Sequence, residues 1–325
     1  MTAKQQHPEL TIRPITGPAE LDLFNRFRYE LNDELADDLD TGRRRPEWLW
    51  VALRGDRLVA RAAWWGRRED AAPLLMDVFD LDDTAGDGTA AGDDATAATA
   101  LLRTALAAVV PPGGETPEYT RFVPPDWRER PAARRIVERR TAVLESLGAR
   151  LFVERLRLEW RPGTALPPPS DRLTFRPVRD RDELVALMTL VLDGTLDAHS
   201  RADLARMPPA EVAARGHDNE LTRYAQPTDW WRIATLPTGD PVGFVIPGHN
   251  GYNHIIGYIG VLPAHRGHGY VDDILAEGTR LLAARNAPRV RAATDLANTP
   301  MAAAFRRAGY VDFQRELNMT WPDGH

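Results

Sequence analysis

The segment Leu10-Thr11-Ile12-Arg13-Pro14-Ile15 returns 163 positions later as Leu173-Thr174-Phe175-Arg176-Pro177-Val178. Near the far end of each copy a glycine stands twelve residues before a tryptophan: Gly148 with Trp160, and Gly309 with Trp321, 161 positions on. Two anchors at nearly equal offset, spanning almost the whole chain, mean duplication of one domain rather than a stack of short repeats. At 325 residues the chain has room for two ordinary domains.

The middle of each half carries the same pattern. Trp48 to Leu53 reads as a strand, Gly55-Asp56 as a hairpin turn, and Leu58 to Trp64 as the returning strand. In the second half Trp231 to Thr235, Gly239-Asp240 and Val242 to Ile246 read likewise. Each half then ends with a helix, a glycine and an alternating strand. The expected fold is α/β (an α+β mixed sheet), as two tandem domains, each a mostly antiparallel twisted sheet flanked by helices. The expected boundaries are 1–160, a stiff linker 161–172 containing Pro162, Pro167, Pro168 and Pro169, and 173–325.

The net charge of −6 disfavours nucleic acid as a partner, and no apolar stretch is long enough to cross a bilayer. With no cysteine there is no disulfide, thiol nucleophile or thiolate metal site. The polar start, Met1 to Leu10, has no signal-peptide core, and a cytoplasmic monomer or homodimer is expected.

The second half contains the strongest functional signal. An apolar run, Ile255 to Val261, leads through Pro263 into Arg266-Gly267-His268-Gly269-Tyr270-Val271, and an amphipathic helix follows to about Arg285. Strand, basic glycine-rich turn and helix form a phosphate cradle. Glycines let backbone N–H groups face an anion, the helix N-terminus adds partial positive charge, and Arg266 adds a full one. At the corresponding place the first half has Asp80-Leu81-Asp82-Asp83-Thr84-Ala85-Gly86-Asp87-Gly88, then Asp93 and Asp94. A diphosphate there would meet carboxylates, so the first half reads as a degenerate copy that braces the second.

Val261, Pro263, Arg266, Gly267 and Gly269, followed by Asn298-Thr299-Pro300-Met301, Phe305 and Gly309-Tyr310, resemble the signature of the GCN5-related N-acetyltransferase (GNAT) family, in its tandem two-domain form. The resemblance implies acetyl-CoA or another acyl-CoA as cofactor. Its pantetheine arm would lie along Ile259, Gly260 and Val261, and its diphosphate on Arg266, Gly267, His268, Gly269, Tyr270 and Val271. Val271 departs from the small residue usual there. Asn298 fits the position that orients the cofactor, and equally a helix N-cap. Gly260 serves close approach of the cofactor or relief of crowding. Phe305 stands where the family has a tyrosine acid, and no Glu precedes the turn.

The implied activity is transfer of an acyl group from CoA to the amine of a small molecule. His254 is the candidate base, and Tyr258, Tyr310 or water the proton donor. Asp229, Trp230 and Trp231 are the candidate acceptor contacts. A non-catalytic acyl-CoA-binding or sensing protein, and an enzyme taking its acyl group from a carrier protein, are the competing readings. His249, His254, His265 and His268 match no metal-ligand spacing, so no metal is expected.

Overall fold

A computed structural model describes residues 9–83, 89–224 and 228–322. It divides into two compact units: residues 1–152 with 316–325, and residues 153–315. The cut differs from the expected 1–160, 161–172 and 173–325. The closing strand of the first half contributes residues 153–160 to the second unit, and the last ten residues belong to the first.

In the first unit β1 (Leu10–Pro14), β2 (Leu49–Arg54), β3 (Arg57–Trp65), β4 (Leu75–Leu81) and β5 (Glu118–Val123) lie in that order. The first three pairings are antiparallel and β4–β5 is parallel. Short helices α1 (Leu21–Phe24) and α2 (Leu35–Asp40) and the longer α3 (Thr89–Val109) and α4 (Pro131–Ser146) cover the strands. The near-continuous apolar character of β2 to β4 follows from burial on both faces. Met319 and Trp321, from the end of the chain, belong to this core.

In the second unit the order is β6 (Arg150–Trp160), β11 (Val290–Asp295), β10 (His254–Val261), β9 (Pro241–His249), β8 (Arg232–Thr235) and β7 (Thr174–Pro177). Only β10–β11 is parallel. Helices α5 (Arg181–Val191), α6 (Ala198–Leu204) and α7 (Pro209–Asn219) form one apolar cluster, with Phe244, Ile246 and Trp231. Helices α8 (Tyr270–Ala283) and α9 (Thr299–Arg307) form another, with Val245, Ile256 and Tyr310. The last strand, β12 (Val311–Thr320), starts in this unit and ends in the first. The proline-rich segment is part of the second unit rather than a free spacer: Leu166 packs on the α8–α9 cluster and the Pro167 carbonyl accepts from Arg280 at 2.9 Å.

The repeat extends to side chains. Arg13 donates to its neighbour Pro14 carbonyl and clasps Glu20; Arg176 does the same with Pro177 and Glu183. Each glutamate also accepts a backbone N–H, from Thr16 or Arg179. The clasp pins the first strand of each unit to the start of the helical segment that follows it.

Candidate functional site: a glycine cradle beside a parted strand pair

In the second unit β10 and β11 pair at two positions only, His254 with Val290 and Ile255 with Arg291. Beyond them the strands part, each still held on its outer side, β10 by β9 and β11 by β6. A β-bulge between Ile256 and Tyr258, at Gly257, marks the start of the gap. The inner edge of β10 therefore offers unpaired backbone groups to an extended ligand.

At the open end the chain makes a short turn, Pro263–His265, and enters α8. Gly267 and Gly269 have φ of 81° and 74°, the left-handed region open to glycine at little cost. Among the described residues no group accepts from the amides of Gly267, His268, Gly269, Tyr270 or Val271. Gly267, His268 and Gly269 are exposed, so nothing in this unit fills the turn. Unclaimed amides at a helix N-terminus can bind an anion. The first-turn carboxylates do not oppose one: Asp272 pairs with Arg307 at 2.7 Å and Asp273 with Arg172.

Arg266 keeps its charge near the turn but has given its donors to the backbone. Arg266 donates to the carbonyls of Val191, Asp193 and Val261 at 2.8, 2.7 and 3.1 Å, closing the end of α5 onto the cradle loop. Its guanidinium is thus committed to backbone oxygens. Arg172, the last residue of the proline-rich segment, donates to the His268 carbonyl at 3.0 Å and lies over the Tyr270 ring at 4.9 Å. No local pattern in the sequence joins residue 172 to residue 268; only the fold does.

Several expected site residues lie elsewhere. Phe305 and Tyr310 are each 2% exposed, packed edge to face in the α8–α9 core. The Tyr310 hydroxyl bonds Thr279 at 2.7 Å, and burial raises its pKa. Trp231 is core against His217, and Trp230 is stacked by Arg285 beyond the end of α8. Asp229 gives its carbonyl to Arg232. His254 sits at the closed end of the strand pair, ring to ring with His249 at 4.9 Å, not at the bulge. Asn298 is the N-cap of α9, accepting from Met301 at 3.3 Å. Gly260 relieves crowding: a Cβ there would meet Val191 at 2.7 Å.

Tyr258 does flank the gap, beside Phe244 on the α5–α7 side. Burial raises its pKa, and the carboxylates of Asp197 and Glu220 add to the effect. Ile259 and Val261 pack on the α8 side. Tyr224 had no signal in the sequence. Its ring lies across Gly248 and Gly257; a Cβ on Gly257 would stand 2.7 Å from the phenol oxygen. Burial pushes the Tyr224 hydroxyl up to about 12. Two phenols thus border the bulge on one face of β10.

The first unit has the same parted pair, β4 and β5 joined only at Leu75–Glu118 and Met76–Tyr119. Among the described residues, the carboxylates of Asp80, Asp83 and Asp94, expected to meet a diphosphate there, are paired with arginines. Asp80 is clasped by Arg61, Arg121 and Arg140 at 2.8 to 3.1 Å, Asp83 by Arg139 and Arg140, and Asp94 by Arg57. The Phe122 N–H already donates to the Tyr29 hydroxyl at 3.0 Å. Residues 84–88 of the expected acidic loop lie outside the described residues.

Residues 197–310 match the sequence pattern of the Acetyltransferase (GNAT) family. No curated protein sequence matches the chain. Its fold is similar to a GCN5-related N-acetyltransferase from Sphaerobacter thermophilus, at TM-score 0.57 and 15% identity, over 95% of this chain and 94% of that one. It is also similar to a tandem GNAT protein from the clavulanic acid biosynthesis pathway, at TM-score 0.52 and 16% identity, over 96% and 98%. At these identities the likeness is one of fold.

Proposed function

We propose that this chain, whose fold is similar to that of tandem GNAT proteins and whose residues 197–310 match the GNAT family pattern, moves an acetyl or short acyl group from acyl-CoA to the amine of a small molecule. The observation that carries the proposal is the set of five unclaimed amides from Gly267 to Val271, at the mouth of the gap between β10 and β11. The cofactor diphosphate would sit on those amides with Arg172 beside it. The pantetheine would run down the free edge of β10 and bring the thioester to the bulge at Gly257.

The acceptor would approach from the α5–α7 face, where Asp197 and Glu220 lie near Tyr258 and favour a cationic amine. The neutral amine nitrogen forms a bond to the thioester carbon, the C–S bond breaks, and the ammonium proton leaves to solvent. The departing thiolate takes its proton from water, or through Tyr258, which recovers its own from the proton that the amine nitrogen releases. Nothing in this sequence of steps needs more than positioning and proton transfer. The burial of Tyr310 and Phe305 favours a second reading, an acyl-CoA-binding protein without turnover. Release of free CoA from acetyl-CoA, over a panel of small amines, separates the two. Turnover with one amine supports the transferase; saturable acetyl-CoA binding without release over the whole panel supports the binder.

A further inference from the structure

The two histidines at the closed end of β10 and β11 line an open pocket of about 420 Å³. It is remote from the cradle: seven strand steps separate His254 from Val261, about 23 Å at about 3.3 Å each. It also lies on the other face of the sheet from Tyr258. His254 is two residues before Ile256, hence on the same face, and Ile256 packs under Gly278 of α8. Its polar lining is Arg161, His249, Tyr252, Asn253, His254 and Arg289.

That lining is rich in donors. The Gly251 N–H donates to His249 Nδ1 at 3.1 Å, which leaves the proton of a neutral ring on Nε2. Arg289 Nε donates to Asn253 Oδ1 at 2.9 Å, so the Asn253 amide group keeps its own donors. Among the described residues no acceptor takes the terminal nitrogens of Arg289, and Arg161 is held only through Nε, by Glu159 at 2.5 Å. Glu159, the neighbouring carboxylate, is clamped between Arg161 and Arg291. Two guanidiniums, two imidazoles and an amide thus converge on a space that no protein acceptor fills.

We propose that this pocket is a second binding site, for a small dianion bearing a phosphate or a pair of carboxylates, separate from the acyl-CoA cradle. Arg161 and Arg289 supply permanent charge, and His249 and Asn253 supply neutral donors. His254 supplies a conditional one. Burial and the neighbouring His249 disfavour its proton in the empty pocket, and an anion between them reverses that preference. The groups facing His254 are His249 on β9, Tyr252 and Asn253 in the turn, Arg289 before β11, and Arg161 with Glu159 on and after β6. Binding is therefore tighter at lower pH.

The test is calorimetric titration of the full chain with inorganic phosphate and, separately, with succinate, at about pH 6 and about pH 8, either side of the imidazole range. The chain carries Gly269→Asp, so that the cradle does not compete for anions. Saturable binding of either probe is expected, and for succinate, which stays largely dianionic at both pH values, it is about tenfold tighter at the lower pH as one proton is taken up. It should be lost in Arg161→Ala/Arg289→Ala and weakened in the milder Arg289→Gln. Binding of phosphate alone identifies a phosphate monoester as the ligand class, and binding of succinate alone a dicarboxylate. Absence of saturation by both probes at both pH values overturns the proposal. So does binding that the arginine substitutions leave unchanged in a folded protein.

Discussion

At the scale of single residues, the cradle depends on backbone rather than on side-chain charge. The glycine pattern from Gly267 to Gly269 was readable in the sequence because positive φ and bare amides are what glycine supplies. Arg266 was readable as a cation but not as a staple, because two of its carbonyl partners, Val191 and Asp193, lie at and just beyond the end of α5, over seventy residues earlier. Gly269→Asp should abolish CoA binding while the protein stays folded. Its Cβ has room, the nearest atom being Arg172 Nη2 at 3.9 Å, and at this positive φ Asp is strained less than most side chains, but a carboxylate would face the diphosphate. Arg172→Ala should weaken CoA binding by several-fold, about 1 kcal/mol, the range of a partly exposed charge-assisted contact. Calorimetry with CoA reads both; unchanged affinity for Gly269→Asp removes the cradle from the account. Tyr224 was invisible for the opposite reason. Its neighbours Gly248 and Gly257 are ordinary strand glycines until the ring is seen lying on them.

At the scale of elements, the strands and helices followed their periodicities, and the hairpins turned where Gly-Asp pairs stand. What no local pattern specifies is how β10 and β11 part, since two paired positions and a bulge are set by tertiary packing. The Arg266 staple joins α5 to the loop between β10 and α8. Arg266→Ala should therefore lower thermal stability by about 1–2 kcal/mol, as three carbonyls lose a charged donor at a partly exposed site. Arg266→Lys should restore only part of this, because an ammonium cannot span three oxygens in a plane. A variant as stable as the wild-type protein would mean that the staple is incidental.

At the scale of the molecule, duplication was legible from two sequence anchors, but the crossing of the final strands was not. Offsets mark the copies, and they are silent on which unit takes each closing strand. The Arg–Glu clasp repeats in both units, and it makes acid stability a shared property. Burial raises the Glu183 pKa, but bonds from Arg176 and Arg179 outweigh it and hold the group at about 2. Glu20 is held at about 2, chiefly by Arg13. A depressed carboxylate stabilises the fold fully above its unfolded value near 4.5, and the contribution is lost as pH falls towards about 2. Glu183→Gln should therefore be less stable than the wild-type protein at neutral pH, with the gap closing across that window in denaturant melts. A gap that stays constant with pH would contradict the clasp.

The whole account turns on where the phosphates of acyl-CoA bind, and a crystal structure of the protein with acetyl-CoA measures that directly. The predicted result has diphosphate oxygens within hydrogen-bond distance of the amides of residues 267–271, and pantetheine along the inner edge of residues 257–261. A diphosphate bound anywhere else, with the turn at Gly267 to Gly269 left bare, would contradict it.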